Sequence, residues 1–395
     1  MSTRPRPADI PFSLVIGGPL YRLLRRARLD GEEHELLGRR VALAIVLTWV
    51  PLLTLSILDG TAWSGTAVPF FRDIDTHVKF LVVLPLLFLA EFVVHSRVGQ
   101  AVQKFREREL IPESQSERSD AVIATARRWL DSVWVEVLLI VLVYTIGVNG
   151  VWRHVTALGM GTWYGAFEDG RRIPSPAGWW LGYVSIPLLQ FLLLRWYFRL
   201  LVWWRLLWQV SRIGLELQPL HPDRCGGLGF LGFLSMAFTP FLFAEGALMS
   251  GQIASQIFFT GATLPEFKVE LVAVAILAVF VIVGPLLMFA PALAQAKRAG
   301  LGRYGTLGTL YARSFERKWL GGGMPIDEPL IGSGDIQSLA DLGNSYETLN
   351  DMRLVPFDLR SILRLAIAVL APIAPLLLTM ISMEQLLSQM LKVLF

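Results

Sequence analysis

Seven stretches of this chain are apolar over about the 17–25 residues that a helix needs to cross the ~30 Å hydrocarbon core of a bilayer. They fall at residues 41–58, 80–95, 133–152, 179–201, 228–250, 271–292 and 362–381, the second being the shortest. Hydrophobic residues make up 54% of the chain and charged ones only 17%. A soluble fold with that balance would lack the polar surface to face water. Lipid removes the difficulty, provided that the backbone bonds within its own segments. The fold class read from this is all-α, a polytopic transmembrane helix bundle of about seven spans with helical cytoplasmic loops.

Basic residues give the orientation. With the N-terminus in the cytoplasm, 29 of the 36 Lys and Arg lie in segments on the inner side, the bias expected of loops that are retained in the cytosol. An odd number of spans then puts the C-terminus outside. The net charge of +4 is therefore an orientation signal, and no nucleic acid is expected as a partner. The partner expected throughout is the lipid bilayer.

The segments divide as follows. Residues 1–40 form a cytoplasmic basic amphipathic N-terminal segment, in which Arg22, Arg25, Arg26 and Arg28 oppose Leu20, Leu23, Leu24 and Ala27. Before them an apolar patch at 12–20 is broken by Gly17, Gly18 and Pro19. Spans one and two occupy 41–95, and 96–132 reads as a cytoplasmic helical hairpin interrupted at Ile111-Pro112. Spans three to six occupy 133–297. A cytoplasmic helical region follows at 298–360, with one helix over 311–320, a glycine-rich break at 321–323 and a second helix from about 335 to 352, capped by Ser333 or Asp335. Residues 361–395 hold span seven and a short helix from 383 expected in the outer interface.

Ionisable groups within the spans are the candidate site, because each costs several kcal/mol in hydrocarbon unless paired or hydrated. At ~1.5 Å rise per residue, Glu91, Glu136, Arg195 and Arg199 reach one level near the cytoplasmic side, with His95 one turn below Glu91. They form either a structural ion-pair layer or a charge ring on an ion path. Glu245 is expected towards the outer side with no basic residue level with it. It would then be a protonated hydrogen-bond donor or a cation or proton site. The turn holding His221, Asp223, Arg224, Gly226 and Gly227 is either a packing device or an anion site built from exposed amides.

No two of the five histidines stand at i,i+3 or i,i+4, and Cys225 is the single cysteine. No metal and no cofactor are expected, and no nucleophile motif marks an enzyme. A membrane-embedded enzyme would need groups such as His221, Asp223 and Arg224 to converge with others in space.

The run Asp335-Ile336-Gln337-Ser338-Leu339-Ala340-Asp341-Leu342, the stretch Met352-Arg353-Leu354-Val355-Pro356-Phe357, and the loop from His221 to Gly229 resemble a group of uncharacterised bacterial polytopic inner-membrane proteins. The resemblance covers the last half of the chain. It implies a bacterial cytoplasmic-membrane setting and carries no activity with it.

Two functional classes remain. The first is an oligomeric small-ion channel or transporter, a homo-oligomer whose buried charges line or gate the path. The second is a non-transporting scaffold or sensor that binds a cytoplasmic protein partner through its inner helices.

Overall fold

Prolines shape the helices of this protein. Its computed structural model describes residues 12–15, 17–19, 22, 33–150, 161–168, 171–321, 329 and 331–380. In chain order the helices are α1 (Glu33–Leu58), α2 (Ile74–Glu107), α3 (Ser116–Leu130), α4 (Val133–Gly150), α5 (Pro176–Ser211), α6 (Phe230–Thr260), α7 (Leu264–Trp319), α8 (Gly334–Asn350) and α9 (Leu359–Met380). All but α3 and α8 are long and apolar enough to cross a membrane, which makes seven such helices. Between α4 and α5, strands β1 (Gly165–Glu168) and β2 (Arg171–Pro174) pair antiparallel.

A proline inside a helix lacks an N–H and crowds the carbonyl four residues earlier. The spans absorb this by changing pitch locally. Wider π-type turns at Val78–Val83 and Leu181–Ser185 precede Pro85 and Pro187. Tighter 3-10 turns at Met236–Phe238 and Gly284–Phe289 precede Pro240 and contain Pro285. Each helix continues through its proline.

The centre of the bundle is α6, whose most apolar window is 61% buried, against 17% for α4 at the edge. Against α6 pack α2 and α9. The contact with α9 is so close that a Cβ at Gly246 would collide with the Val369 carbonyl. Such backbone approach is the usual means by which membrane helices gain packing energy.

Long extensions of α2, α5 and α7 form arms at one end of the bundle, where α3 packs on α5 and α8 on α7. The β hairpin lies at the other end. In place of a separate helix beginning near 311, α7 runs unbroken through the glycine-rich stretch 300–308. The glycines there make room for a neighbour: a Cβ at Gly300 would stand 2.8 Å from Leu349 and 3.0 Å from Pro219. Helix packing outweighs the poor helix propensity of glycine. Ser333 caps α8, accepting a hydrogen bond from the Asp335 N–H. The Asp335 carboxylate accepts bonds from Lys318 and Trp319 at the end of α7. The basic stretch 23–29 and the C-terminal helix expected from 383 lie outside the described residues.

Candidate functional site

One face of α5 carries Leu192, Arg195, Trp196, Arg199, Leu200 and Trp203, all buried. Their helical spacing is that of a core stripe, yet two members are arginines. Arg199 Nη1 donates to Glu91 Oε1 of α2 at 2.6 Å. Arg195 lies 3.6 Å from the same oxygen and 3.5 Å from Glu136 Oε1 of α4. Glu91, Glu136, Arg195 and Arg199 are 7, 8, 6 and 3% exposed. Two cations and two anions taken from three helices thus share one enclosed site. Arg40 of α1 lies near enough to add its field to Glu91 and Arg195.

Aromatic packing fixes the cluster. The Arg199 guanidinium lies 5.1 Å from the Trp196 ring centre, a favourable position for a desolvated cation. Trp196 in turn donates from Nε1 to the Leu87 carbonyl, 3.2 Å away on α2.

The N-terminal patch is the unexpected member. Phe12, Ser13, Leu14 and Val15 are all buried, and their segment lies across the arm-end side of the charges. Arg195 donates to the Gly17 carbonyl at 3.2 Å and Arg199 to the Val15 carbonyl at 3.4 Å. Ser13 Oγ and His95 Nδ1 share a hydrogen bond at 2.7 Å, which explains what the histidine below Glu91 does. The turn after the patch requires glycine. Gly17 and Gly18 have φ of +142° and +87°, and a Cβ on either would strike the carboxylate of Asp131 or Glu136. The Gly18 N–H donates to Asp131 Oδ1. Beside Arg195 and Glu136, a narrow cleft remains between this segment, α4 and α5.

Glu245 stands apart from this cluster and has a partner of its own. Its carboxylate hydrogen-bonds with Tyr197, which lies between Arg195 and Arg199 on α5. Its Oε1 is enclosed without a hydrogen-bond partner among the described residues. Tyr197 itself is 41% exposed on the bundle surface.

The turn at His221 satisfies its own amides. Asp223 accepts from the N–H groups of Cys225, Gly227 and Gly229 at 2.8, 3.1 and 2.9 Å, so the donors that an anion would need are occupied. Burial alone would push the Asp223 carboxyl up, but those three amides and the facing His221 hold it below the usual carboxylate range. Arg108 at the end of α2 reaches both Asp223 and the Gly227 carbonyl. Arg353 donates to the carbonyls of Asp223 and Arg224, and Cys225 Sγ lies 3.2 Å from the Val355 carbonyl. Burial pushes the Cys225 thiol up to about 12, too high for a thiolate nucleophile near neutral pH. Gly226 and Gly227 have φ of +61° and +95°, and a Cβ at Gly227 would crowd Leu110. The stretch 221–229 and the stretch 352–357 are thus clamped on each other. Arg224 points away from the turn, to Asp351 at 3.1 Å.

Fold and site together define a multi-pass integral membrane protein with a closed, buried charge cluster at one end. The chain matches no protein-family model, no curated protein and no solved structure at a significant level.

Proposed function

We propose that this is an oligomeric small-ion channel or transporter of a bacterial inner membrane, with its N-terminus in the cytoplasm and the Arg195–Arg199–Glu91–Glu136 cluster as its inner barrier. The observation that carries the reading is the hydrogen bonding of two buried arginines to the carbonyls of residues 15 and 17. These bonds seat a short peptide segment over charges at membrane depth. Backbone carbonyls are replaceable acceptors, so an ion arriving at the arginines competes with the segment for the same donors. Ionisable side chains within membrane spans are rare and commonly mark ion or substrate paths. The half-exposed Tyr197, bonded to the enclosed Glu245, supports the oligomer, since a phenol on a lipid-facing surface would cost energy that a second copy or a hydrated path removes.

Flux of chloride and potassium into proteoliposomes tests this. Wild type should exceed empty liposomes, and Glu245→Gln should change the rate. Wild-type flux equal to that of empty liposomes overturns the reading.

One observation favours the scaffold reading. The α7–α8 arm leaves Leu307, Leu310, Ile336 and Tyr346 at 44–57% exposure, an apolar surface suited to a cytoplasmic protein partner. Stoichiometric co-purification of such a partner with a flux-inactive protein would decide for it.

A further inference from the structure

A second polar site lies at the hairpin end of the bundle, away from the charge cluster. Its floor is Asp73, only 6% exposed. The carboxylate caps the first turn of α2, accepting from the Thr76 N–H at 3.3 Å, and also takes the Thr76 hydroxyl at 2.7 Å and Trp163 Nε1 at 2.8 Å. All three donors are neutral. Among the described residues no cation stands within ion-pair distance of Asp73, so its charge is buried uncompensated. Hydrogen bonds from neutral groups hold such a charge in place without cancelling it.

Capping accounts for part of Asp73 and for nothing else here. Beside it opens a small pocket lined by Thr162, Tyr164, Ser255, Gln256, Phe259 and Thr260 together with Asp73 and Val68. Thr162 is 4% exposed, and its hydroxyl Oγ1 has no hydrogen-bond partner among the described residues. A buried hydroxyl left unpaired beside a pocket has an unused donor and unused acceptor lone pairs. The wall of the pocket is mostly apolar, with two aromatic rings, and its polar groups include the Asp73 carboxylate and the Thr162 hydroxyl. That chemistry suits a small cation that donates hydrogen bonds, since rings attract cations over their faces. A bare metal ion would need six or so oxygens at ~2.0–2.6 Å, more than this mostly apolar wall supplies.

We propose that this pocket binds a small ammonium-type cation, ammonium or a short primary amine, with Asp73 as counter-ion and the Thr162 hydroxyl as a hydrogen-bond acceptor. The site is independent of ion passage through the cluster at the other end, and its test does not depend on flux. The pocket opens on the extracytoplasmic side if the N-terminus is inside.

Equilibrium binding of radiolabelled methylammonium to the detergent-purified full chain provides the test. Wild type should show saturable binding. Asp73→Asn should weaken it at least about tenfold, the scale of a lost charged hydrogen bond, and Thr162→Val should weaken it about three- to tenfold while keeping the side-chain shape. Because Asp73→Asn disturbs the bond to Trp163, a monodisperse elution profile is required of each variant. If Asp73→Asn does not fold, the near-isosteric Thr162→Val decides by itself. Absence of saturable methylammonium binding to wild type overturns the proposal, as does unchanged affinity in folded Thr162→Val.

Discussion

Arg199 of α5 and Glu91 of α2 meet at 2.6 Å, Nη1 to Oε1, with both side chains less than one-tenth exposed. The pair is the fixed point of the charge cluster, because Arg195 shares the same carboxylate oxygen.

Removing the charge of Glu91 leaves two enclosed guanidinium groups with Glu136 as their remaining carboxylate. Breaking a buried pair on one side costs about 3–5 kcal/mol. Glu91→Gln should therefore lower the thermal unfolding midpoint in detergent by several degrees. Glu91→Gln combined with Arg199→Met should recover part of the loss. A double variant no more stable than Glu91→Gln would show that the pair is not energetically coupled.

The clamp at 221–229 predicts an acid-sensitive contact. Asp223 has its carboxyl held below the ordinary value in the folded chain. The stability it lends is therefore present above the unfolded value of about 3.9 and is lost as pH falls through the lower folded value. Cys225, the only cysteine, reports on it: its thiol is buried against Val355 and pushed up to about 12. At pH 7.5 wild type should react slowly with a maleimide, and Asp223→Ala should react at least about tenfold faster by intact-mass measurement. Equal rates would mean that Asp223 does not hold the turn.

Gly300 lets α8 lie on α7. A larger residue there meets Leu349 and Pro219 at 2.8 and 3.0 Å. Gly300→Leu should cost about 1–3 kcal/mol, the usual cost of overpacking, and should speed cleavage of the arm in limited proteolysis. Gly302→Leu serves as the control, because no atom lies within 4 Å of a Cβ placed there.

The asymmetry of Lys and Arg predicts that tags at the N- and C-termini report opposite compartments, the first cytoplasmic. Reporter fusions at the two ends check this in cells. The same compartment for both would remove the proposed orientation.

Much of this molecule is legible from residue order alone, and the reason is physical. Hydrocarbon imposes helices, and helix pitch sets depth, so the spans and the common level of Glu91, Glu136, Arg195 and Arg199 follow from counting residues. What counting misses depends on contacts distant in sequence. Residues 12–20 look like a broken apolar patch until Asp131, Glu136, Arg195 and Arg199 are brought around Val15, Gly17 and Gly18. The paired Gly17 and Gly18 are the available signal, since such a pair marks tight backbone approach as readily as a break. Residue counting does not reveal the partner of Glu245, because Tyr197 lies on another helix 48 positions earlier. A helix start near 311 misses the course of α7 through residues 300–308, because glycine propensity is a local measure and the packing of α8 is not. Asp73 and Thr162 stand 89 positions apart in the chain, with nothing in their spacing to join them.

Seating of the N-terminal segment on the two arginines is tested most directly by Gly18→Val in proteoliposomes. A Cβ at position 18 collides with the Glu136 carboxylate, and a β-branched residue resists the +87° φ of that position. The substitution should unseat residues 12–18 and raise ion flux severalfold above wild type. A folded Gly18→Val protein whose flux equals that of wild type would contradict a barrier closed by that segment.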